Sequence, residues 1–293
     1  MEQTGFLALI SKKAGHFRPD LCRELSREFG KAGIPLKFHF IEHESDVEVE
    51  IASALKNGCR NFLAVGGDGT VDLMASHLYG HQHRLGIIPA GTANTLARVI
   101  GVPMTLKKAI KLAVSSAKTR AVDCMEVEGR LYFQNVSAGL SSNSLDRMDQ
   151  KEKARLGMFS YVIGVARASW NTSPSNFEVI IDGQKHQSRA VEIHVTNTGV
   201  LGRPQYHLNE TSHIDDGKVE VLGLSDLSPV TVVDAVLDVL LRRKKRAIRL
   251  VGEGAQVIIR SGAYQPAQGD GDVIGPTPVT IRVIPKAVNF IVP

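Results

Sequence analysis

Gly66-Gly67-Asp68-Gly69-Thr70 stands between the apolar run of residues 62–65 and a stretch with helical spacing. Val71, Met74, Ala75 and Leu78 fall at i, i+3, i+4 and i+7, one face of a helix. The pentad is therefore a strand-to-helix turn. Its glycines allow positive φ and close approach of a ligand to the backbone, while the free amides at the helix start carry positive partial charge. That is a phosphate cradle. A carboxylate there repels phosphate, so Asp68 suits magnesium, a lysine or an ordered water beside the phosphates. The competing reading is a packing turn in which Asp68 or Thr70 caps the helix.

Working outward, residues 6–10 read as a strand, followed by a helix with Pro19 near its first turn and Leu21, Cys22, Leu25 and Phe29 inward. Residues 36–41 form a second strand. Ser45 offers an N-cap with Glu48 at capping-box spacing, ahead of Val47, Ile51 and Leu55. After the third strand at 62–65 comes a fourth at 85–88, closed by Pro89 and opening a second turn, Ala90-Gly91-Thr92-Ala93-Asn94. Helices follow up to Ile100 and from Thr105 to residue 117. This βαβα order implies a parallel sheet with helices on both faces, and ligands then bind outside the carboxyl ends of its strands, where both glycine turns lie.

From Val122 the pattern changes. Residues 122–127, 131–136, 177–181, 190–196, 218–224, 256–260 and 279–284 read as strands, with turns such as Asp182-Gly183. Two helical stretches interrupt them: 151–170, with Phe159, Tyr161 and Trp170, and 229–241, with an apolar stripe of Val232, Val233, Val236, Leu237, Leu240 and Leu241.

With 293 residues, two domains are expected. No apolar stretch approaches the roughly 18 residues needed to span a bilayer, and no secretory leader is evident, so a cytoplasmic protein is expected. Cys22, Cys59 and Cys124 are scattered and odd in number, as free thiols in a reducing compartment would be. Net charge is +5, with much of the surplus in Arg242-Arg243-Lys244-Lys245-Arg246. Beside the amphipathic helix this run suits an anionic lipid surface, each charge contributing about 1 kcal/mol, or it is a solvated helix end. It lacks the interleaved aromatics of a nucleic-acid site. His77, His81 and His83 read as a wet helix end rather than a metal centre. Val136-Ser137-Ala138-Gly139 lacks the first glycine of a nucleophile elbow, and the absence of Gly-x4-Gly-Lys-Ser/Thr excludes a P-loop kinase.

The landmarks Gly66-Gly67-Asp68-Gly69-Thr70, Ile88-Pro89-Ala90-Gly91-Thr92-Ala93-Asn94, Asn197 with the Gly202 region, Asp215-Asp216-Gly217-Lys218 and Gly269-Asp270-Gly271-Asp272 occur in one order across nearly the whole chain. Together they resemble the diacylglycerol kinase catalytic-domain family, its soluble bacterial members in particular, with sphingosine kinases as cousins. The resemblance implies an α/β nucleotide-binding domain with a parallel sheet over residues 1–120, to which a tail of 286–293 returns, and a β-rich, sandwich-like lipid-binding domain over 121–285. It further implies an ATP- and Mg2+-dependent kinase that phosphorylates a hydroxyl of diacylglycerol or a related lipid, with a homodimer left open.

By the same resemblance Gly66, Gly67, Asp68, Gly69, Thr70, Val71 and Asp72, with Gly91, Thr92 and Asn94, hold the nucleotide. Asp216, with the carbonyls of His213 and Lys218, holds magnesium. The family's base lies in an Asp-Gly-Glu triplet, written here Asp270-Gly271-Asp272. Asp272, one methylene shorter than glutamate, or Asp270 accepts the proton, with Asp68 completing the catalytic acids. A tight hairpin turn is the plainer reading of that triplet. The chain departs from its relatives at Ser11-Lys12-Lys13-Ala14-Gly15, where they carry Asn-Pro-x-Ser-Gly, at Ile41 in place of threonine, and at Asp72 in place of asparagine. An NAD kinase relative shares the first glycine turn, but its Asn-Glu motif is missing here. A non-catalytic lipid sensor on the same fold is the reading from another class.

Overall fold

The computed structural model describes residues 5–139, 173–199, 213–224 and 248–293. The helices expected at 151–170 and 229–241, with Phe159, Tyr161 and Trp170, lie outside the described residues, as do Gly202 and the basic run at 242–246. By its contacts the chain divides into two compact units, Met1–Asp123 with Pro285–Pro293, and Cys124–Ile284.

The first unit alternates strand and helix: β1 (Phe6–Ser11), α1 (Leu21–Lys31), β2 (Leu36–Ile41), α2 (Glu44–Lys56), β3 (Asn61–Gly66), α3 (Asp68–Leu78), β4 (Arg84–Pro89), α4 (Thr95–Val99) and α5 (Leu106–Ser115). Its sheet is parallel in the order β2-β1-β3-β4. Leu9, Ile10, Phe62, Leu63, Val65 and Ile88 are fully buried, as near-continuous apolar strands covered on both faces must be. Leu21, Leu25 and Phe29 of α1 are buried too, with Phe29 set edge-on to Phe6 at 5.2 Å. Cys22, expected inward, is half-exposed, because its position lies beside that stripe rather than on it.

Two local expectations are corrected. Helix α2 begins at Glu44, with His43 in the N-cap place that Ser45 was expected to take. The Asp46 carboxylate accepts the His43 amide at 2.8 Å and the Glu42 amide at 3.0 Å, so a shorter acid two residues earlier does the work expected of Glu48. His83 is not on a wet helix end. It is 6% exposed and bridges two segments: Nδ1 donates to the His81 carbonyl at 2.6 Å, and Nε2 accepts the Asn289 amide at 3.2 Å.

The second unit is built of strands. The chain enters through β5 (Thr119–Val127) and continues with β6 (Arg130–Tyr132), β7 (Asn135–Ala138), β8 (Ser175–Ile181), β9 (Gln184–Ala190), β10 (Glu192–Thr196), β11 (Val219–Leu224), β12 (Ile248–Gly254), β13 (Gln256–Ser261), β14 (Pro266–Gly269), β15 (Asp272–Pro276) and β16 (Val279–Ile291). One sheet carries β16-β13-β8-β9, with β5 and β6 alongside. The other runs β12-β11-β10-β7-β14-β15. Alternate residues of both sheets meet in one core: Phe177, Val179, Val257, Ile259 and Ile281 from the first, Val136, Ile193, Val195, Val219 and Val221 from the second.

β16 continues through Pro285, where the expected strand stopped, and its last residues belong to the first unit, with Phe290 beside Leu85. Pro285 has no amide to lose, and Lys286, at φ +54°, donates its own to the buried Asp123 carboxylate at 2.6 Å.

His83 gives the first unit an acid-sensitive joint. Burial pulls its pKa below the ordinary 6.5, so on acidification the unfolded chain takes the proton first. Stability present above pH 6.5 is lost as pH falls below it. His83→Gln should lower stability at pH 7 by about 1–2 kcal/mol and flatten the decline of melting temperature between about pH 7 and 5, measured by thermal denaturation.

Candidate active site

In the first unit the two glycine turns touch through bare backbone. A Cβ added to Gly91 would lie 2.4 Å from Gly67 Cα, and one added to Gly67 would lie 3.2 Å from Gly91 Cα. The amides of Ala90 and Gly91 both point at the Gly66 carbonyl, at 2.8 and 3.2 Å. Thr70 covers Gly66 so closely that a Cβ there would meet its Oγ1 at 2.3 Å. Asn94, buried at φ +49°, closes the second turn through its side chain. Its Oδ1 accepts the Gly91 amide at 3.0 Å and its Nδ2 donates to the Gly91 carbonyl at 2.7 Å.

Asp68 does not cap its own helix. Helix α3 has no side-chain cap. The Asp68 carboxylate instead reaches the start of α4, where it accepts the Leu96 amide at 3.4 Å. Burial pushes its pKa up, and the amides of Leu96, Thr95 and Asn94 pull the other way. A cation or a donor arriving at the turn would offset that cost of burial.

The remaining candidates in this unit differ in reach. Gly69 and Thr92 are exposed, Thr70 and Asp72 are half-buried, and the Val71 side chain is core at 2% exposure. The Val71 side chain is thus closed to a ligand, and its amide donates to the Gly67 carbonyl at 3.2 Å. The sequence reading missed His16. Its amide donates to the Ala90 carbonyl at 2.8 Å, and its Nδ1 lies 2.9 Å from the Gly91 carbonyl. A carbonyl can only accept, so Nδ1 carries the proton there.

In the second unit β14 and β15 make a hairpin with Gly269 opposite Asp272. Asp270 and Gly271 form its tip at φ +48° and +96°, the two positive values a tight two-residue turn asks for. The plainer reading of the triplet is thus correct for the backbone, and both acids remain on it. Asp270 is turned inward onto residues 133–135, where the strand expected at 131–136 breaks into β6 and β7. Tyr132 packs against the hairpin so tightly that a Cβ on Gly269 would meet its ring at 2.4 Å. Burial pushes the Tyr132 hydroxyl up, with Asp272 and Asp270 adding to the shift.

Asn197 belongs to the same unit. Its Nδ2 donates to the Phe133 carbonyl at 3.1 Å and its amide to the Gln134 carbonyl at 3.0 Å. The loop before β11 holds Asp216, whose Oδ1 accepts the Lys218 amide at 2.9 Å. Among the described residues no three His, Cys, Asp or Glu side chains are grouped to hold a metal. One exposed carboxylate with neighbouring carbonyls is a hard-oxygen set compatible with magnesium that keeps most of its water.

Residues 6–127 match the family model of the diacylglycerol kinase catalytic domain, and residues 134–292 match that of the YegS C-terminal NAD kinase beta sandwich-like domain. The chain is 28% identical to a protein named "Probable lipid kinase YegS-like" from Enterobacter sp. (strain 638), with 98% of this chain and 95% of the relative covered. A protein of the same name from Pectobacterium atrosepticum is 33% identical over 54% of this chain and 53% of its own. Among solved structures, a diacylglycerol kinase from Bacillus anthracis str. Sterne shares the fold at TM-score 0.79 and 21% identity, with 100% of this chain and 98% of that one covered. The α/β unit with a parallel sheet and the β-sandwich-like unit are the fold of these proteins.

The contact between the glycine turns sets a steric test. Gly91→Ala forces backbone apart and should cost about 1–3 kcal/mol, seen as a melting temperature lowered by several degrees. Gly69→Ala, whose Cβ meets nothing within 4 Å, should leave the melting temperature unchanged or raised.

Proposed function

The chain belongs to the diacylglycerol kinase catalytic-domain family in its YegS-type form, and from that premise we propose that it is an ATP-dependent kinase acting on a hydroxyl of diacylglycerol or a related lipid. The observation that carries this reading is the pair of glycine turns in backbone contact at the carboxyl ends of β3 and β4, with Asp68 beside them. Such an edge, at the start of a helix, suits the triphosphate of a nucleotide. Gly66, Gly67, Gly69, Thr70, Gly91 and Thr92 bind it by backbone and hydroxyl, Val71 and Asp72 border it, and Asn94 and His16 keep the second turn in shape.

Phosphoryl transfer to an alcohol asks the protein for positioning, charge compensation and a proton acceptor. Asp270 or Asp272 serves as the acceptor. Asp68 orders the cation or water that faces the phosphates. Asp216, with the carbonyls of His213 and Lys218, would hold magnesium, a hard cation suited to these oxygen ligands. No helix among the described residues is long and apolar enough to cross a membrane. A cytoplasmic enzyme that meets its lipid at the bilayer surface, through the basic run at 242–246, is the arrangement proposed.

Purified protein given ATP, magnesium and vesicles of diacylglycerol, phosphatidylglycerol or sphingoid base should yield a phosphorylated lipid, read by mass. No product from any of the three overturns the kinase reading, and nucleotide binding without transfer favours the sensor. Asp68→Asn should reduce transfer by about 10^2-fold or more. It should not lower the melting temperature at pH 7: the raised pKa means that the Asp68 charge costs folding stability above its ordinary 3.8, and removing the charge removes that cost.

A further inference from the structure

His77 and His81, two of the three crowded histidines, line a cavity of about 610 Å3 together with Lys56, Arg60 and Gln82. Small-molecule sites have volumes of about 300–1,000 Å3. The lining comes from one face of α2, the end of α3 and the connections that lead into β3 and β4. The cavity therefore lies at the amino-terminal edge of the parallel sheet, one length of β3 or about 17 Å from the glycine turn at Gly66.

Its charge is lopsided. Lys56 and Arg60 are permanent cations, and Glu48 is the acid among the residues that line it. Eight residues of helix, about 12 Å, separate Glu48 from Lys56, which is longer than the roughly 10 Å over which salt screens a charge. Cations near helix ends commonly compensate exposed carbonyls. Here those carbonyls already have donors. The carbonyls of Ser53, Ala54 and Leu55 accept the amides of Asn57, Cys59 and Gly58 at 3.1, 2.9 and 3.0 Å, and those of Ala75 and Leu78 accept the Tyr79 and His81 amides at 3.0 and 3.1 Å.

Arg60 is anchored through one nitrogen, its Nη1 donating to the Leu55 carbonyl at 3.1 Å and to the Cys59 carbonyl at 3.0 Å. Its Nε and Nη2 make no bond among the described residues, and together they form the fork that grips two oxygens of one anion. The side chains of Lys56, His77, His81 and Gln82 likewise make no hydrogen bond or ion pair among the described residues. A phosphate monoester carries a charge of about −1.5 to −2 at pH 7, which matches two cations where a carboxylate matches one.

We propose that this cavity is a binding site for a phosphate monoester, separate from the glycine turns. The Arg60 fork takes two phosphate oxygens, Lys56 supplies a point charge, and the rings of His77 and His81 with the Gln82 amide supply further donors. The organic part of the ligand lies over Ala52 and Leu55. Soluble phosphorylated compounds and phosphorylated lipids both carry this group. The site does not depend on what the glycine turns bind.

The test uses the full chain at constant ionic strength. NMR signals of the His77 and His81 rings, assigned with His77→Gln and His81→Gln, are followed against glycerol 3-phosphate, inorganic phosphate and acetate, and cosedimentation is measured with phosphatidylcholine vesicles with and without phosphatidate. Glycerol 3-phosphate should shift both rings saturably and acetate should not. Lys56→Glu should weaken the response by about 10-fold or more, and Asp68→Asn at the glycine turn should change it by less than about 2-fold. Cosedimentation that requires phosphatidate and is lost in Lys56→Glu, with no response to the soluble ester, supports the site and assigns it to a lipid headgroup. No response to ester or vesicle, an equal response to acetate, or an affinity that Lys56→Glu leaves unchanged overturns the proposal, whatever the protein does with ATP. Should Lys56→Glu fail to fold, Arg60→Lys, which keeps the charge and loses the fork, decides by whether the response weakens.

Discussion

Aspartate carboxylates close the backbone amides that regular structure leaves open in this protein. A buried N–H without a partner costs about 1–3 kcal/mol, so every break in a strand or helix must be answered by something. Asp270 answers the break between β6 and β7, and Asp123 answers the irregularity after Pro285. Asp182 does the same at residues 255 and 256, where its carboxylate accepts both amides at 3.1 and 2.8 Å, and Asp46 closes the start of α2. The acid is short, acceptor-only and tolerant of positive φ, which Asp182 and Asp270 both adopt. Corners that would otherwise be loose are thereby fixed.

Asp68 is the instructive variation. It too faces amides, at the start of α4, yet desolvation outweighs them and its pKa rises. Amide partners at 94–96 hold the carboxylate in place without fully stabilising its charge. The same device that locks a corner elsewhere here leaves an electrostatic deficit beside two glycine turns, and a deficit at such a place is a means of binding a cation or a donor.

Much of this was legible beforehand because the signals were local and strong. The parallel sheet followed from apolar runs alternating with helical spacing, and the glycine turns followed from Gly66 to Thr70 and from Gly91 to Asn94. Strand β9 went unseen because it reads Gln-Lys-His-Gln-Ser-Arg-Ala on a sheet edge, where one face meets water and no apolar run is needed. Strands β14 and β15 hid among Gly and Pro, residues that normally signal turns. His83 looked like one member of a surface cluster, since nothing near it in sequence reveals that the amide of Asn289, over two hundred residues away, completes its bonding. The bonding of Asp270 was equally out of reach, because it depends on amides at 133–135 that no motif encodes.

The altered turn at residues 11–15 belongs in the same account. After the first strand the chain reads Ser11-Lys12-Lys13-Ala14-Gly15. Lys12 lies over the Phe40 ring at 4.4 Å, which binds the new turn to β2 rather than leaving it free. His16, just past it, seizes the carbonyls of Ala90 and Gly91 with its amide and its ring. The clasp fixes the second glycine turn, whose backbone has almost no room beside Gly67, and two backbones are thereby held within contact of each other.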